Sequence, residues 1–188
     1  YSVPVQGQQG KLMRLDDAVK ATNTEVLSIE LPRDTKAGAA TVIILFLEEL
    51  MSQMCAMPYP WHWSLPIKNA GEVYISESGH LEFAYSASAG QVLNKAFGVP
   101  MGEAFGFMAG SPAAIGLVMA DTAMKSASLS IAKYMTPDKG TSHSNEVILA
   151  VAGDASAAKT AVLNARQIGL ELLIAMGSYP ETPGVPYL

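Results

Sequence analysis

The second half of the chain switches between two hydrophobic periods, and the switches mark its elements. Glu103 to Gly110 (EAFGFMAG) is a run of small and aromatic residues that reads as a strand, closed by Gly110, Ser111 and Pro112. Ile115, Val118, Met119 and Ala123 then recur at helical spacing. They predict a helix through Ala113 to Ala127 with one face on a sheet, Ser111 as its N-cap and Pro112 in its first position. Leu129 to Met135 is a β segment, Thr136 to Asn145 (TPDKGTSHSN) a polar loop and Val147 to Ala152 a buried strand. Gly153 and Asp154 turn the chain into a long helix, Ala155 to Met176, carrying Ala158, Val162, Ile168 and Leu172. The order is βαββα. Ahead of it, Glu72 to Tyr85 reads as a hairpin around Ser78 and Gly79, followed by a short helix over Ala87 to Phe97.

Part of this pattern occurs twice. Ala18 to Ile29 (AVKATNTEVLSI) returns as Ala123 to Tyr134 (AMKSASLSIAKY), a spacing of 123 − 18 = 105 residues. In each copy a helix end with a lysine two residues after an alanine leads into a β-rich segment, and a proline follows at the same offset, Pro32 and Pro137. The repetition predicts tandem units of one α/β (α+β) fold, residues 1–86 and 87–188. A half-chain of about 90 residues is near the lower limit for an independent core. Only 15% of the 188 residues are charged and the mean hydropathy is +0.22. Much apolar surface is therefore expected to be buried between halves or between subunits, and oligomerisation is the expected outlet.

Charge and cysteine content narrow the partners. A net charge of −5 with no run of four basic residues argues against nucleic acid and against anionic membranes. The longest apolar run, Thr41 to Leu47, stops at Glu48 and Glu49, far short of the roughly 20 residues of a membrane span. No signal peptide is expected from the opening residues. The single cysteine, Cys55, cannot form an internal disulfide, which suits a reducing cytosol.

Five stretches resemble a known family: DDAVKATNTEVLSIELPRDTK, SGHLEFAYSA, KAFGVPMGEAFGFMAGSPAAIGLVMADTAMKSA, GTSHSNEVILAVAGDASAAKTAV and the tail Gly177 to Leu188. Together they are similar to the shell proteins of bacterial microcompartments, in particular the tandem-domain B type of propanediol and ethanol utilisation shells. The resemblance implies two circularly permuted shell domains, each an antiparallel sheet flanked by helices, and a homotrimer forming a pseudohexameric tile among other shell proteins. It also implies that Lys20 and Lys125 lie at the tile edge and pack against their counterparts on the next tile, with Asn23 and Ser128 adding hydrogen bonds. From composition alone the same lysines read as solvated residues at helix ends, favoured by the helix dipole.

The loop between two strands of this domain lines a hole through the tile, so the resemblance makes Thr141, Ser142, His143, Ser144 and Asn145 pore candidates. Arg33, Asp34, Thr35 and Lys36 stand at the matching place in the first copy. Hydroxyl, amide and imidazole groups suit the passage of small polar alcohols or aldehydes by hydrogen-bond exchange. A polar hairpin loop explains the composition equally well. No cofactor, metal or catalytic residue is expected. His80, His143, Ser142, Ser144 and Asp154 contain the residue types of a nucleophile, a base and an orienter, but no motif spacing joins them. The run Gly106 to Gly116 fails the GxGxxG spacing and reads as small-residue packing. A trimeric small-ligand-binding regulatory module is the alternative.

Between Gly38 and Asn69 the resemblance lapses and then resumes with no change in length. The second copy here has a strand, a glycine turn and a helix, whereas Pro58 and Pro60 in the first would break a helix, at roughly 3 kcal/mol each. Allowed codons for Ala40 to Ser64, read one nucleotide earlier, spell HGNYIILGGINVTDVRHAVSMALE, which has the strand, turn and helix. A compensated frameshift is therefore expected across this stretch, leaving Cys55, Trp61, His62 and Trp63 without functional weight. The first domain is also expected to have a longer N-terminal part.

Overall fold

The computed structural model describes residues 16–17, 19–20, 26–30, 43–46, 72–139 and 145–182. Within them, a five-stranded antiparallel sheet has the order β3-β4-β5-β7-β6, formed by β3 (Glu72–Ser76), β4 (Gly79–Ser86), β5 (Ala104–Ser111), β6 (Ser130–Met135) and β7 (Val147–Gly153). A separate pair, β1 (Val26–Glu30) and β2 (Ile43–Phe46), belongs to the first copy. The helices are α1 (Gln91–Phe97), α2 (Ala113–Ser126) and α3 (Ala155–Ala175). The stretch 40–64 lies outside the described residues apart from β2.

The repeat holds at the level of strand register. Val26 faces Phe46 and Ser28 faces Leu45, with a bulge between them. Adding 105 to each number gives Ile131 facing Val151 and Lys133 facing Ala150, and the bulge recurs at that place. Ile29 with Ile44 and Glu30 with Ile43 are likewise matched by Tyr134 with Leu149 and Met135 with Ile148. A single-residue slip in either pair would exchange the faces of every side chain, so this identity fixes the two strand pairs as copies of one design.

Strand hydrogen bonding runs across the expected boundary after residue 86. β4 pairs with β5 from His80 opposite Ser111 to Ser86 opposite Phe105, so β3 and β4 belong to the sheet of the second unit. β5 and β7 are buried on both faces, which is why they read as apolar runs without alternation. On one face Leu81, Phe83, Met108, Leu149 and Val151 pack against Ile115 and Met119 of α2 and Val162 and Leu173 of α3. On the other, Ala84, Phe105, Phe107 and Ile148 meet Val92, Leu93 and Phe97 of α1 together with Val19 and Val26 of the first copy.

Two expected helix starts move. Ser111 ends β5 opposite His80 instead of capping α2, and Pro112 takes the N-cap position. The short helix begins at Gln91, not Ala87, because the Ala89 N–H is held by the Glu103 carbonyl at 2.6 Å and Gly90 is extended.

Small residues let α2 approach the sheet, as the packing reading of Gly106 to Gly116 expects. A Cβ on Gly116 would lie 2.6 Å from the Gly110 carbonyl oxygen and 2.9 Å from the Val147 Cβ, and one on Gly106 would meet Val151 and Val162 at 2.9 Å. Gly116→Val should therefore destabilise the fold by about 1–3 kcal/mol, the usual cost of overpacking. Urea unfolding checks this, and an unchanged midpoint would mean that α2 does not sit against β5 as described.

Candidate functional site

The two lysines of the repeat occupy equivalent positions in unlike surroundings. Lys125 is in the last turn of α2, where its charge suits the helix dipole, and pairs with Asp121 at 2.5 Å across one turn on an open surface. Ser128 is also exposed, just past the helix. Lys20 pairs with Asp16 at 2.7 Å, the same i, i+4 arrangement, but also donates to the Ser88 carbonyl. Asp16 is buried, and its carboxylate accepts from the Gly90, Val92 and Leu93 N–H groups at 2.9, 3.1 and 3.4 Å. It serves as the cap of α1, whose own N-cap residue Gly90 has no side chain to offer. Asn23 lies outside the described residues.

Of the loop candidates, Thr141, Ser142, His143 and Ser144 lie outside the described residues, as do Arg33, Asp34, Thr35 and Lys36. Asn145 is described and exposed. Its Oδ1 accepts the Ala113 N–H at 3.1 Å, so it supplies the α2 cap expected of Ser111. The loop's end is thereby tied to the start of α2.

Directly after Asn145, Glu146 is buried and its Oε1 lies 3.1 Å from His80 Nε2. Burial disfavours the charge on His80, but the hydrogen bond and charge of Glu146, with the charge of Glu82, outweigh it and raise the imidazole above its ordinary value. Burial and the nearby Glu146 charge push Glu82 up to about 7. Sequence reasoning missed this cluster because His80 and Glu82 lie on β4 and Glu146 just ahead of β7, with β5 between those strands. The alternation of His80 and Glu82 along β4 was the one available signal.

Of the catalytic constellation weighed from the sequence, Ser142, His143 and Ser144 lie outside the described residues, and His80 and Asp154 lie far apart. His80 sits opposite Ser111 at one end of β5, and Gly153, next to Asp154, sits opposite Ala104 at the other. Seven residues of strand separate them, roughly 20 Å or more. Asp154 instead caps α3, accepting from the Ser156 hydroxyl at 2.7 Å and from the Ser156 and Ala157 N–H groups at 2.8 and 3.3 Å; these bonds, the hydroxyl's first, hold its carboxyl below the usual range. Among the described residues no group of three His, Cys, Asp or Glu side chains could hold a metal ion, and no helix is long and apolar enough to cross a membrane.

Comparison with known proteins agrees with this architecture. The BMC domain family matches residues 104–180, from β5 through α3 and beyond. The bacterial microcompartment shell protein PduB of Citrobacter freundii is 44% identical over 183 residues, covering 94% of this chain; the chain spans 66% of that relative's length. The crystal structure of EtuB from Clostridium kluyveri superposes with a TM-score of 0.81 at 36% identity, over 100% of this chain and 82% of that one. The structure of a trimeric bacterial microcompartment shell protein PduB gives 0.79 at 33% identity, over 97% and 81%. Identity at this level across four-fifths of a solved relative establishes that the chain belongs to the bacterial microcompartment shell proteins.

Proposed function

We propose that this chain is a structural shell protein of a bacterial microcompartment in the bacterial cytoplasm. In this reading three chains make a pseudohexameric facet tile alongside other shell proteins, and openings in the tile pass small metabolites such as alcohols and aldehydes. The observation that carries it is the register identity at 105 residues: two copies of one unit in each chain let three chains supply six near-equivalent positions around a ring. A close solved relative is described as a trimer, which supports the same count. No residue is assigned a catalytic role. Lys125, with Ser128, forms the edge contact of the second unit, Lys20 and Asn23 that of the first. The loops 33–36 and 141–145 line the openings.

Electron microscopy of the purified protein tests this directly. Sheets or tubes are expected, and Lys125→Ala combined with Lys20→Ala should leave trimers intact and abolish the sheets. Because Lys20 also holds Asp16 and the Ser88 carbonyl, Lys125→Ala alone is the cleaner variant. Sheets unaltered by either change would remove the edge role. Discrete trimers with ligand-dependent melting would favour the regulatory alternative.

A further inference from the structure

A cavity of about 480 Å³ opens where the chain leaving α3 crosses the end of the edge strand β3. Gly177, at φ +85°, reverses the chain past α3, and the Ser178 N–H closes back on the Leu173 carbonyl at 3.2 Å. Two fastenings then fix the crossing. At one, Ser178 is buried, accepts the Ser78 N–H at 3.2 Å and donates to the Ser78 hydroxyl; at the other, Ile75 and Glu181 exchange both backbone hydrogen bonds at 2.9 Å. Ser76, Glu77 and Tyr179 line the gap between them. Its walls are therefore set before any ligand arrives, which lowers the ordering cost of binding. The chemistry of those walls is one-sided. Glu77 and Glu181 are exposed in the cavity, and among the described residues neither carboxylate has an ion-pair or hydrogen-bond partner. α3 has no basic residue in its last turn, so the negative end of its dipole adjoins the cavity without a charge of its own to offset it. Arg166, which reaches β3 from α3, is taken up by Glu72 and Tyr74. Beside the acids lie two apolar groups left in water, the Tyr179 ring at 85% exposure and the Ile75 side chain at 55%.

We infer that this cavity binds a small organic cation, an ammonium group on a short hydrocarbon stem. Glu77 and Glu181 take the charge, the Tyr179 ring offers it a negative face, and Ile75 packs against the stem. Each alternative fails on one wall. An anion meets two carboxylates and a helix C-terminus, and a neutral alcohol leaves both carboxylates unused. A hard metal ion takes oxygen ligands on most sides and gains nothing from an aromatic ring and an isoleucine. The site is also separate from the proposed openings. β7, whose start follows the loop 141–145, lies three strands from β3 in the sheet, roughly 14 Å at the usual strand spacing. Occupancy of the cavity thus requires no passage through an opening, and the inference goes beyond the shell reading without depending on it.

The test titrates the full-length chain with butylammonium chloride, and with 1-butanol as a neutral counterpart of similar shape. Methyl NMR reads Ile75 in the cavity and Met176 beside it, with the buried Ile115 under α2 as the distant reference. Saturable shifts at Ile75 and Met176, with Ile115 unmoved, are expected at a dissociation constant on the order of 1 mM. Butanol should bind roughly tenfold more weakly, and added salt should weaken the ammonium alone. Glu77→Gln combined with Glu181→Gln should raise the dissociation constant about tenfold, and Tyr179→Leu about threefold. These side chains are exposed and the changes keep the backbone pairing of Ile75 with Glu181, so circular dichroism should be unchanged. Equal shifts from the alcohol, or ammonium binding unaltered in the double variant, would overturn the inference. So would the absence of any shift at about ten times the expected constant. Sheet formation under the microscope is read separately, so either failure leaves the shell reading standing.

Discussion

Arg166→Met should destabilise the fold by about 3–5 kcal/mol, the cost of leaving one member of a buried ion pair without its partner. Arg166 projects from α3 to the edge strand β3, where its Nε lies 2.8 Å from Glu72 Oε2 and its guanidinium reaches the Tyr74 hydroxyl at 2.6 Å. Tyr74 in turn donates to Glu72 at 2.8 Å. The Glu72 side chain is almost wholly buried. The guanidinium also lies 5.5 Å from the Tyr74 ring centroid, and Met retains the stem that packs there. Loss in this variant therefore reports the charge and the hydrogen bonds more than the packing. The double variant Arg166→Met with Glu72→Gln removes both charges and should recover much of the loss. Urea unfolding of the two variants decides it: equal loss in both would mean that the pair's charge is not what matters.

The second large effect is a fall in stability as pH rises through the weakly acidic range. Glu82 has a folded pKa of about 7 against an ordinary 4.5, so the folded state holds an extra proton between these values. Stability from this group is full below pH 4.5 and is lost progressively up to about pH 7, by on the order of 3 kcal/mol. His80 acts in the same direction. Its folded pKa is raised, so its contribution is present below 6.5 and lost as pH rises through the folded value. Glu82→Gln should flatten the profile between pH 4.5 and 7 and leave a reduced His80 limb, because the Glu82 charge helps raise the imidazole while Glu146 remains. A wild-type midpoint that stays level from pH 5 to pH 8 would show that Glu82 is not held in the surroundings described.

Local patterns made the core of the fold legible. The helical recurrence of Ile115, Met119 and Ala123 and the apolar run from Val147 to Ala152 each have one physical reading, and both elements form there. The repeat was legible too, because a copied sequence copies its register, down to the bulge after Ile131. What escaped were contacts whose partners are far apart in sequence. Asp16 reaches Val92 across 76 residues and Asn145 reaches Ala113 across 32, so neither cap leaves a local signature. Ser111 looked like a cap because the sequence does not reveal that β4 extends far enough to claim it. The equivalence of Lys20 and Lys125 could be read directly, but the difference in their surroundings could not, since Ser88 and the buried Asp16 come together only when the two units meet.

If the proposed edge roles hold, that difference sets an order of events for a tile joining its neighbours. Lys20 is already held at two points, so it enters an edge contact with most of its side-chain freedom gone. Among the described residues Lys125 is tethered to an exposed Asp121 alone and would have to be immobilised at the moment of contact, at a conformational entropy cost of up to about 2 kcal/mol. Edges made through the first unit should therefore nucleate a sheet. Those made through the second close later and come apart first, which gives a growing facet stiff seams alternating with seams that can still correct a misplaced tile.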